Sequence, residues 1–349
     1  MLIKTDNWNV EQHKNRGLNR AIVLDQRPVG KPKLSDFKMV SEQPVTSVPE
    51  GKILLKTVYV SVDPYLRGRM TTQKSYIPPF DLNKPIQSAI VAEVVESKND
   101  NFSKGDFVTG LLDWKEQQLS NGEDLMKVDP DQAPLSAYLG ILGMTGITAY
   151  VGMFDIGKPR KGETLVVSGA AGAVGSVAGQ IGKIMGMNVV GIAGSDEKTE
   201  LLKRDFGFDD AINYKTTENM AAAISETCPQ GVDVYFDNVG GSVADAMLFN
   251  INTFARIVNC GAISLYNATE LPQSISVQPF LIKKRALMQG FVVLDYTHKF
   301  PEAIKQLGEW LAGGKLTYNE TVVEGFDLIP QAFIDLFDGK NKGKMVVKV

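Results

Sequence analysis

The sequence predicts an α/β protein in two parts, a β-rich N-terminal domain followed by a doubly wound parallel-sheet domain. Three observations carry the prediction. The first 130 or so residues read as short Val-, Ile- and Leu-rich runs separated by Pro, Gly, Asn or Asp. Near "AYLGILGMTGITAYVGMFDIG" the texture changes, and strand-like and helix-like runs then alternate about every 25 residues, the signature of βαβ units. Between the first such pair lies "VVSGAAGAVGSVAGQIGK", Val166 to Lys183, a glycine-rich turn joining an apolar run to an amphipathic one.

Taken in order, "RAIVLDQ", "KILLKTVYVSVD", "SAIVAEVVES" and "DFVTGLLDW" supply the strands of a small barrel or sandwich without a repeat period. In the second part the predicted strands are Thr164–Ser168, Asn188–Ala193, Ala211–Tyr214, Val232–Asp237, Arg256–Cys260 and Leu287–Val293. A helix, "KFPEAIKQLGEWLAGG", follows, and the tail ends in a further helix and strand that could fold back onto the first domain. The expected boundaries are 1–130 for the β-rich domain, 131–300 for the parallel-sheet domain and 301–349 for the returning segment. The polar segment Tyr266–Pro279, "YNATELPQSISVQP", is long for a connection inside such a sheet, and long loops often serve as lids or binding loops.

After the strand "TLVVS", the residues Val174, Val177, Ala178 and Ile181 fall at i, i+3, i+4 and i+7, one face of a helix. Strand, glycine turn and helix form the context of a dinucleotide fingerprint, here Ala170-x-Gly172-x-x-Gly175 with Ala in the first glycine's place. Gly172 would let the backbone approach a pyrophosphate at the helix N-terminus, and Gly175 would let helix and sheet pack closely. No Gly-Lys-Ser/Thr follows, which disfavours a P-loop. The next strand ends in Gly194-Ser195 rather than in an acid, leaving room for a 2′-phosphate, and Lys198 could supply the positive charge. Asp196 could instead serve as an NAD-type acid, or it could cap the helix that begins there. The balance favours NADP.

The bulk numbers exclude several classes. Hydrophobic residues make up 44% and charged residues 22%, ordinary for a globular protein, and 37 basic against 40 acidic side chains argue against a nucleic-acid binder. The two cysteines, Cys228 and Cys260, cannot form a disulfide framework. The N-terminus is too polar for a signal peptide, and no apolar run approaches the roughly 20 residues that span a bilayer. A soluble cytoplasmic protein is expected. His13, His298, Cys228 and Cys260 show no metal-ligand spacing, so no metal is expected. That spacing disfavours metal-assisted alcohol–carbonyl interconversion and leaves hydride transfer to an activated C=C bond as the easier chemistry.

The order of domains suggests the medium-chain dehydrogenase/reductase architecture, a GroES-like β-rich domain plus a Rossmann domain. "VSVDPYLRGRM", the glycine turn, "GIAGSDEK", "FGFDDAINYKT", "DVYFDNVGG", "RIVNCGAISLYN", "FVV" and "EGFDLIPQAFIDLFDGKNKGKMVVKV" make the likeness specific. Together they resemble the zinc-independent alkenal/prostaglandin/curcumin reductase branch (leukotriene B4 12-hydroxydehydrogenase-like) over nearly the whole chain. The resemblance implies an NADPH-dependent reductase of α,β-unsaturated aldehydes and ketones, usually a homodimer. It implies cofactor contacts at Gly172, Ala173, Val174 and Gly175, and a grip on the 2′-phosphate by Ser195, Lys198 and Tyr214. It further implies contacts at Asn238, at Cys260, Gly261, Ala262 and Ser264, at Phe291, Val292 and Val293, and at Asn341 in the tail. Tyr214 also reads as a half-buried strand tyrosine and Asn341 as a turn residue.

On the substrate side, Tyr65 and Tyr76 match tyrosines of the family, each also readable as a packing or turn residue. Met144 would line the interdomain cleft or sit in the core. Tyr266 is the expected catalytic residue, because a phenol of pKa about 10 stays protonated at neutral pH and can donate to a developing oxyanion or protonate the α-carbon. Water or a ribose hydroxyl could deliver that proton instead. Two other readings compete: a quinone oxidoreductase of the same superfamily and a non-catalytic NADPH-binding protein.

Overall fold

The computed structural model describes residues 17–270 and 272–349; His13 and the leader-peptide reading lie outside them. The N-terminal part contains β1 (Asn19–Leu24), β2 (Phe37–Glu42), β3 (Ile53–Ser61), a short α1 (Leu66–Arg69), β4 (Gln87–Ser97), β5 (Phe107–Asp113), β6 (Gln117–Ser120) and β7 (Met126–Val128). These strands tend to alternate in burial because one face of the sheet covers the core: in β4, Ser88, Ile90, Ala92 and Val94 are buried, while Gln87, Ala89, Glu93 and Val95 are only half-buried. The core beneath them gathers Ile22, Ile53, Leu55, Ile90, Trp114 and Phe333. After α2 (Met144–Val151) the chain enters the parallel sheet.

That second sheet comprises β8 (Thr164–Ser168), β9 (Asn188–Ala193), β10 (Asp210–Asn213), β11 (Val232–Asp237), β12 (Ile251–Asn259) and β13 (Leu287–Gly290). Its connecting helices are α3 (Gly175–Ile184), α4 (Asp196–Phe206), α5 (Met220–Thr227), α6 (Gly241–Met247) and α7 (Gln278–Lys284). The strand order is β10-β9-β8-β11-β12-β13, with every pairing parallel. All five residues of β8 are buried, as expected for a central strand covered by helices on both faces. The fold is therefore α/β with a Rossmann sheet.

The chain then runs through α8 (Phe300–Ala312), β14 (Glu320–Glu324), α9 (Ile329–Phe337) and β15 (Lys344–Lys348). β15 pairs antiparallel with β3, Val346 opposite Ser61, so the tail closes the first sheet in the order β14-β15-β3-β4-β5-β7. Three expectations need correction. Leu287–Val293 is strand only to Gly290, because Val293 opens a 3-10 turn. The strand expected at Arg256–Cys260 begins earlier, at Ile251, and the one expected at Ala211–Tyr214 ends at Asn213. Among the described residues no helix is long and apolar enough to cross a membrane.

Candidate active site

The sheet reverses its order between β8 and β11, and the crevice outside those strand ends is where open α/β sheets hold ligands. The glycine turn forms one side. Gly169 follows β8 in the left-handed region at φ +58°, so the tight-turn glycine is this residue, one before Ala170. A Cβ on Gly175 would lie 2.4 Å from the Gly169 carbonyl oxygen and 2.8 Å from the Ala170 Cα, a clash with backbone that cannot move aside. Only glycine lets α3 begin this close to the strand. Gly172, Ala173 and Val174 are half-buried along the turn, and no side chain caps α3, although the Ser176 amide already donates to the Gly172 carbonyl at 3.1 Å.

The end of β11 forms the floor. Asp237 is buried, and its Oδ1 accepts from Ser168 Oγ at 2.7 Å, Tyr235 Oη at 2.8 Å, and the Val239 and Gly240 amides at 2.9 and 3.0 Å. Asn238 donates through Nδ2 to the Ser168 carbonyl at 2.8 Å, locking the ends of β8 and β11 together. The Cys260 and Gly261 amides donate to the Asp237 carbonyl at 2.9 and 3.1 Å and seat the next turn above this floor. A pocket of about 420 Å³ opens there, lined by Asp237, Gly240, Asn259, Cys260, Gly261, Ala262 and Tyr266.

Tyr266 is half-buried, and its Oη accepts the Ala262 amide at 3.2 Å. Burial raises its pKa, opposed by that amide and reinforced by Cys260 and Asp237. Among the described residues nothing accepts the Tyr266 proton, so it is free for a ligand in the pocket. Cys260 lines the pocket and packs against the Rossmann core, and burial pushes its thiol up to about 12, which makes it a poor nucleophile.

Neither Tyr65 nor Tyr76 is among the residues lining the pocket: Tyr65 packs against the N-terminal core, and Tyr76 is exposed but near enough to Tyr266 and Cys260 to feel their charge. Burial raises both phenols; Tyr76 is raised further by Tyr266 and then Cys260, and Tyr65 by Asp63 and Tyr76, with Arg69 opposing each shift. Tyr76 rides on a loop that Arg69 pins: Nε donates to the Pro78 carbonyl at 3.0 Å, and the guanidinium lies 4.0 Å above the Phe80 ring. Arg69 is a residue that reading the sequence did not single out.

At the other end of the crevice Ser195 caps α4, its side chain accepting the Lys198 amide at 3.3 Å. Asp196 is not the cap; its exposed carboxylate accepts from Asn213 Nδ2 at 2.7 Å. Tyr214 stands just beyond β10, 44% exposed, with its ring 3.0 Å from where a Cβ on Gly194 would sit. Lys198 Nζ donates to the Gly339 carbonyl at 2.6 Å. Its pKa is lowered by burial and then by Lys215 and Lys342, neither of which the sequence reading identified. Asn341 donates through Nδ2 to the Gly343 carbonyl at 2.8 Å, and the Gly343 amide donates to Ala171 at 2.8 Å, so the tail rests on the glycine turn.

Some expected residues stand apart from the pocket lining. Ser264 is exposed, and its hydroxyl donates to the Val239 carbonyl at 2.6 Å. Met144, 39% exposed, starts α2. Phe291 and Val293 pack on the Rossmann core, Phe291 edge-on to Tyr296 at 6.3 Å, and Val292 is half-buried between them. Among the described residues no group of three or more His, Cys, Asp or Glu could hold a metal.

Comparison with known proteins identifies the family. Residues 20–128 match the family model described as the N-terminal domain of oxidoreductase, and residues 173–309 the one described as zinc-binding dehydrogenase. The chain is 43% identical over 343 residues to the NADPH-dependent curcumin reductase of Escherichia coli, covering 97% of this chain and 98% of the relative. It is 42% identical over 335 residues to the NADP(+)-dependent 2-alkenal reductase of Nicotiana tabacum, covering 95% and 97%. The crystal structure of CurA from Vibrio vulnificus in complex with NADPH superposes with a TM-score of 0.90 at 42% identity, covering 95% of this chain and 99% of that one. The chain belongs to the medium-chain dehydrogenase/reductase superfamily, in its zinc-independent, NADPH-dependent reductase branch. It is an NADP-dependent oxidoreductase, with NADP as its cofactor.

Proposed function

We propose that the protein reduces the C=C bond of α,β-unsaturated aldehydes and ketones. The observation that carries this reading is the Tyr266 hydroxyl, which borders the pocket beside the glycine turn with its proton unshared. The cofactor fits the residues present: Gly175 lets α3 start tight against the end of β8, a Cβ on Gly172 would meet only the Gly169 carbonyl, so the turn is otherwise open there, and lysine charge gathers at the Ser195 end. In this reading Gly172 to Gly175 hold the pyrophosphate, and Ser195, Lys198 and Tyr214 hold the 2′-phosphate. Asn238, Cys260 to Ala262, Ser264, Phe291 to Val293 and Asn341 border the remainder, several of them through backbone alone.

Bound NADPH supplies the hydride for the β-carbon. Tyr266 donates its proton in a hydrogen bond to the substrate carbonyl and stabilises the negative charge that develops on that oxygen. Burial keeps the phenol protonated at neutral pH, and the Ala262 amide fixes its direction. The α-carbon then takes its proton from Tyr266, from water or from a ribose hydroxyl. Tyr65 and Tyr76 form the opposite wall, while Met144 at the start of α2 borders the cleft. The proposal includes a homodimer, for which light scattering is the test.

The deciding experiment follows cofactor absorbance with a panel of enals, enones and small quinones, using NADPH and NADH. Enal or enone turnover with NADPH, well above that with NADH, is the expected result. Turnover confined to quinones, or tight NADPH binding without oxidation by any acceptor, overturns the proposal.

A further inference from the structure

Three lysines, two from the consecutive α4 and β10 segments and one from the C-terminal segment, gather around the Gly194–Lys198 turn. Lys198 lies on the first turn of α4. Lys215 follows Tyr214, whose amide donates to the Ala193 carbonyl at 3.0 Å and so holds this segment beside the end of β9. Lys342 comes from the segment between α9 and β15, and its Nζ is ion-paired with Glu197, the neighbour of Lys198. The same segment receives the Lys198 Nζ on the Gly339 carbonyl at 2.6 Å. Two contacts from adjacent residues of α4 thus bring residues 339–342 to the turn.

The nearby acids are occupied. Asp196 accepts from Asn213, Asp338 pairs with Lys31, and Asp335 pairs with Lys340 at 2.8 Å. Among the described residues Lys198 and Lys215 form no ion pair; Glu197 pairs with Lys342 and partly offsets Lys198, and Asp338 lies near Lys215. Lys215 and Lys342 are close enough to Lys198 to hold its ammonium below the usual lysine range, after the larger effect of burial. Like charges gathered this way are unfavourable unless a multiply charged anion lies among them, and a phosphate monoester carries about −1.5 to −2 at neutral pH.

We propose that Lys215 and Lys342 join Lys198 as determinants of selectivity for the cofactor's 2′-phosphate, with Lys342 delivered by the C-terminal segment and steered by Glu197. The inference rests on the NADP dependence of the family and extends it to two residues outside the glycine turn and the β9–α4 connection. One consequence is that the phosphate end of the cofactor reads the position of the tail as well as the parallel sheet.

The test is calorimetric titration of the full chain with 2′,5′-ADP and with 5′-AMP, which differ only in the 2′-phosphate. Wild type, Lys342→Gln, Lys215→Gln, Lys342→Arg and the neighbouring control Lys340→Gln are compared at two salt concentrations. Lys342→Gln and Lys215→Gln should each weaken 2′,5′-ADP by about 5–10-fold, as expected for a partly exposed charge-assisted contact, with 5′-AMP unchanged. Both should also flatten the salt dependence of 2′,5′-ADP binding, while Lys342→Arg and Lys340→Gln retain wild-type selectivity. An unchanged ratio of the two affinities in either glutamine variant removes that lysine from the site. Wild-type protein that fails to distinguish the two nucleotides would remove NADP selectivity itself.

Discussion

Replacing Tyr266 by Phe removes one oxygen whose surroundings are fully specified. The Oη accepts a single hydrogen bond, from the Ala262 amide at 3.2 Å, at the edge of an open pocket. A bond of that kind contributes about 0.5–1.5 kcal/mol, and water entering the pocket can replace it, so stability should fall by less than about 1 kcal/mol. Loss of a donor to a developing oxyanion typically lowers kcat about 100–1,000-fold. The two effects therefore separate: a large loss of kcat with an enone, a urea midpoint near wild type, and an NADPH dissociation constant within about 2-fold by fluorescence titration. The pH profile adds a second check. Only the protonated phenol can donate, and its pKa is raised, so this group imposes no alkaline loss of activity below about pH 10. A Tyr266→Phe enzyme retaining kcat within about 3-fold would refute the role, as would a variant whose activity falls only in step with NADPH affinity.

Gly175→Ala would drive a methyl group into the Gly169 carbonyl and the Ala170 Cα; overpacking against immobile backbone should cost about 1–3 kcal/mol in urea titrations and weaken NADPH binding. An unchanged midpoint would mean that the turn is looser than its contacts imply. Asp237→Ala should be the harsher change, because it orphans four donors at once; a loss of at least about 3 kcal/mol is expected, and one below 1 kcal/mol would contradict the hub. Stability should also fall at alkaline pH. Burial raises the Tyr235 and Tyr65 phenols, so the unfolded chain releases their protons near pH 10 while the native chain keeps them. The stabilisation is complete below about pH 10 and is lost as pH climbs from there through the raised native values, which urea midpoints measured across that range would reveal.

Much of this architecture is legible in the residues. The strands β8, β9 and β11 have the bounds the sequence predicts because mainly apolar, almost wholly buried runs end at turn residues. The strand β12 is harder to read because its start, "INTF", mixes polar residues with Phe254, which takes a left-handed φ of +64° where the register against β11 shifts. The strand β13 misleads in the opposite sense: Phe291 to Val293 are apolar enough to extend it, yet their packing on the Rossmann core bends the chain into a 3-10 turn. In the site, the glycine turn and Tyr266 stand out by pattern. Arg69 and Lys342 do not, since each acquires its meaning only from partners that folding brings near: Pro78 and Phe80 for the one, Glu197 for the other.

Residues 339–344 tie three separate parts of the cleft together. Gly339 takes the Lys198 ammonium, Gly343 bonds to Ala171 in the glycine turn, and Lys344 enters the N-terminal domain. Lys344 is 4% exposed; its Nζ donates to the Val62 and Met345 carbonyls, each at 2.9 Å, and pairs with Asp63 at 3.1 Å, two residues before Tyr65. Glu320 also faces this ammonium, which partly offsets the rise that burial imposes on its carboxyl. A buried charge tied this way is a weak source of net stability, but removing one member strands the others. Lys344→Met keeps the aliphatic bulk and should cost about 3–5 kcal/mol, because Asp63 and Glu320 lose their common counter-charge. Its signature beyond stability is joint: the KM for substrate and the NADPH dissociation constant should rise together, because one segment supports both Tyr65 and the glycine turn. If NADPH affinity stayed at the wild-type value while substrate KM rose, the tail would be bracing the substrate side alone.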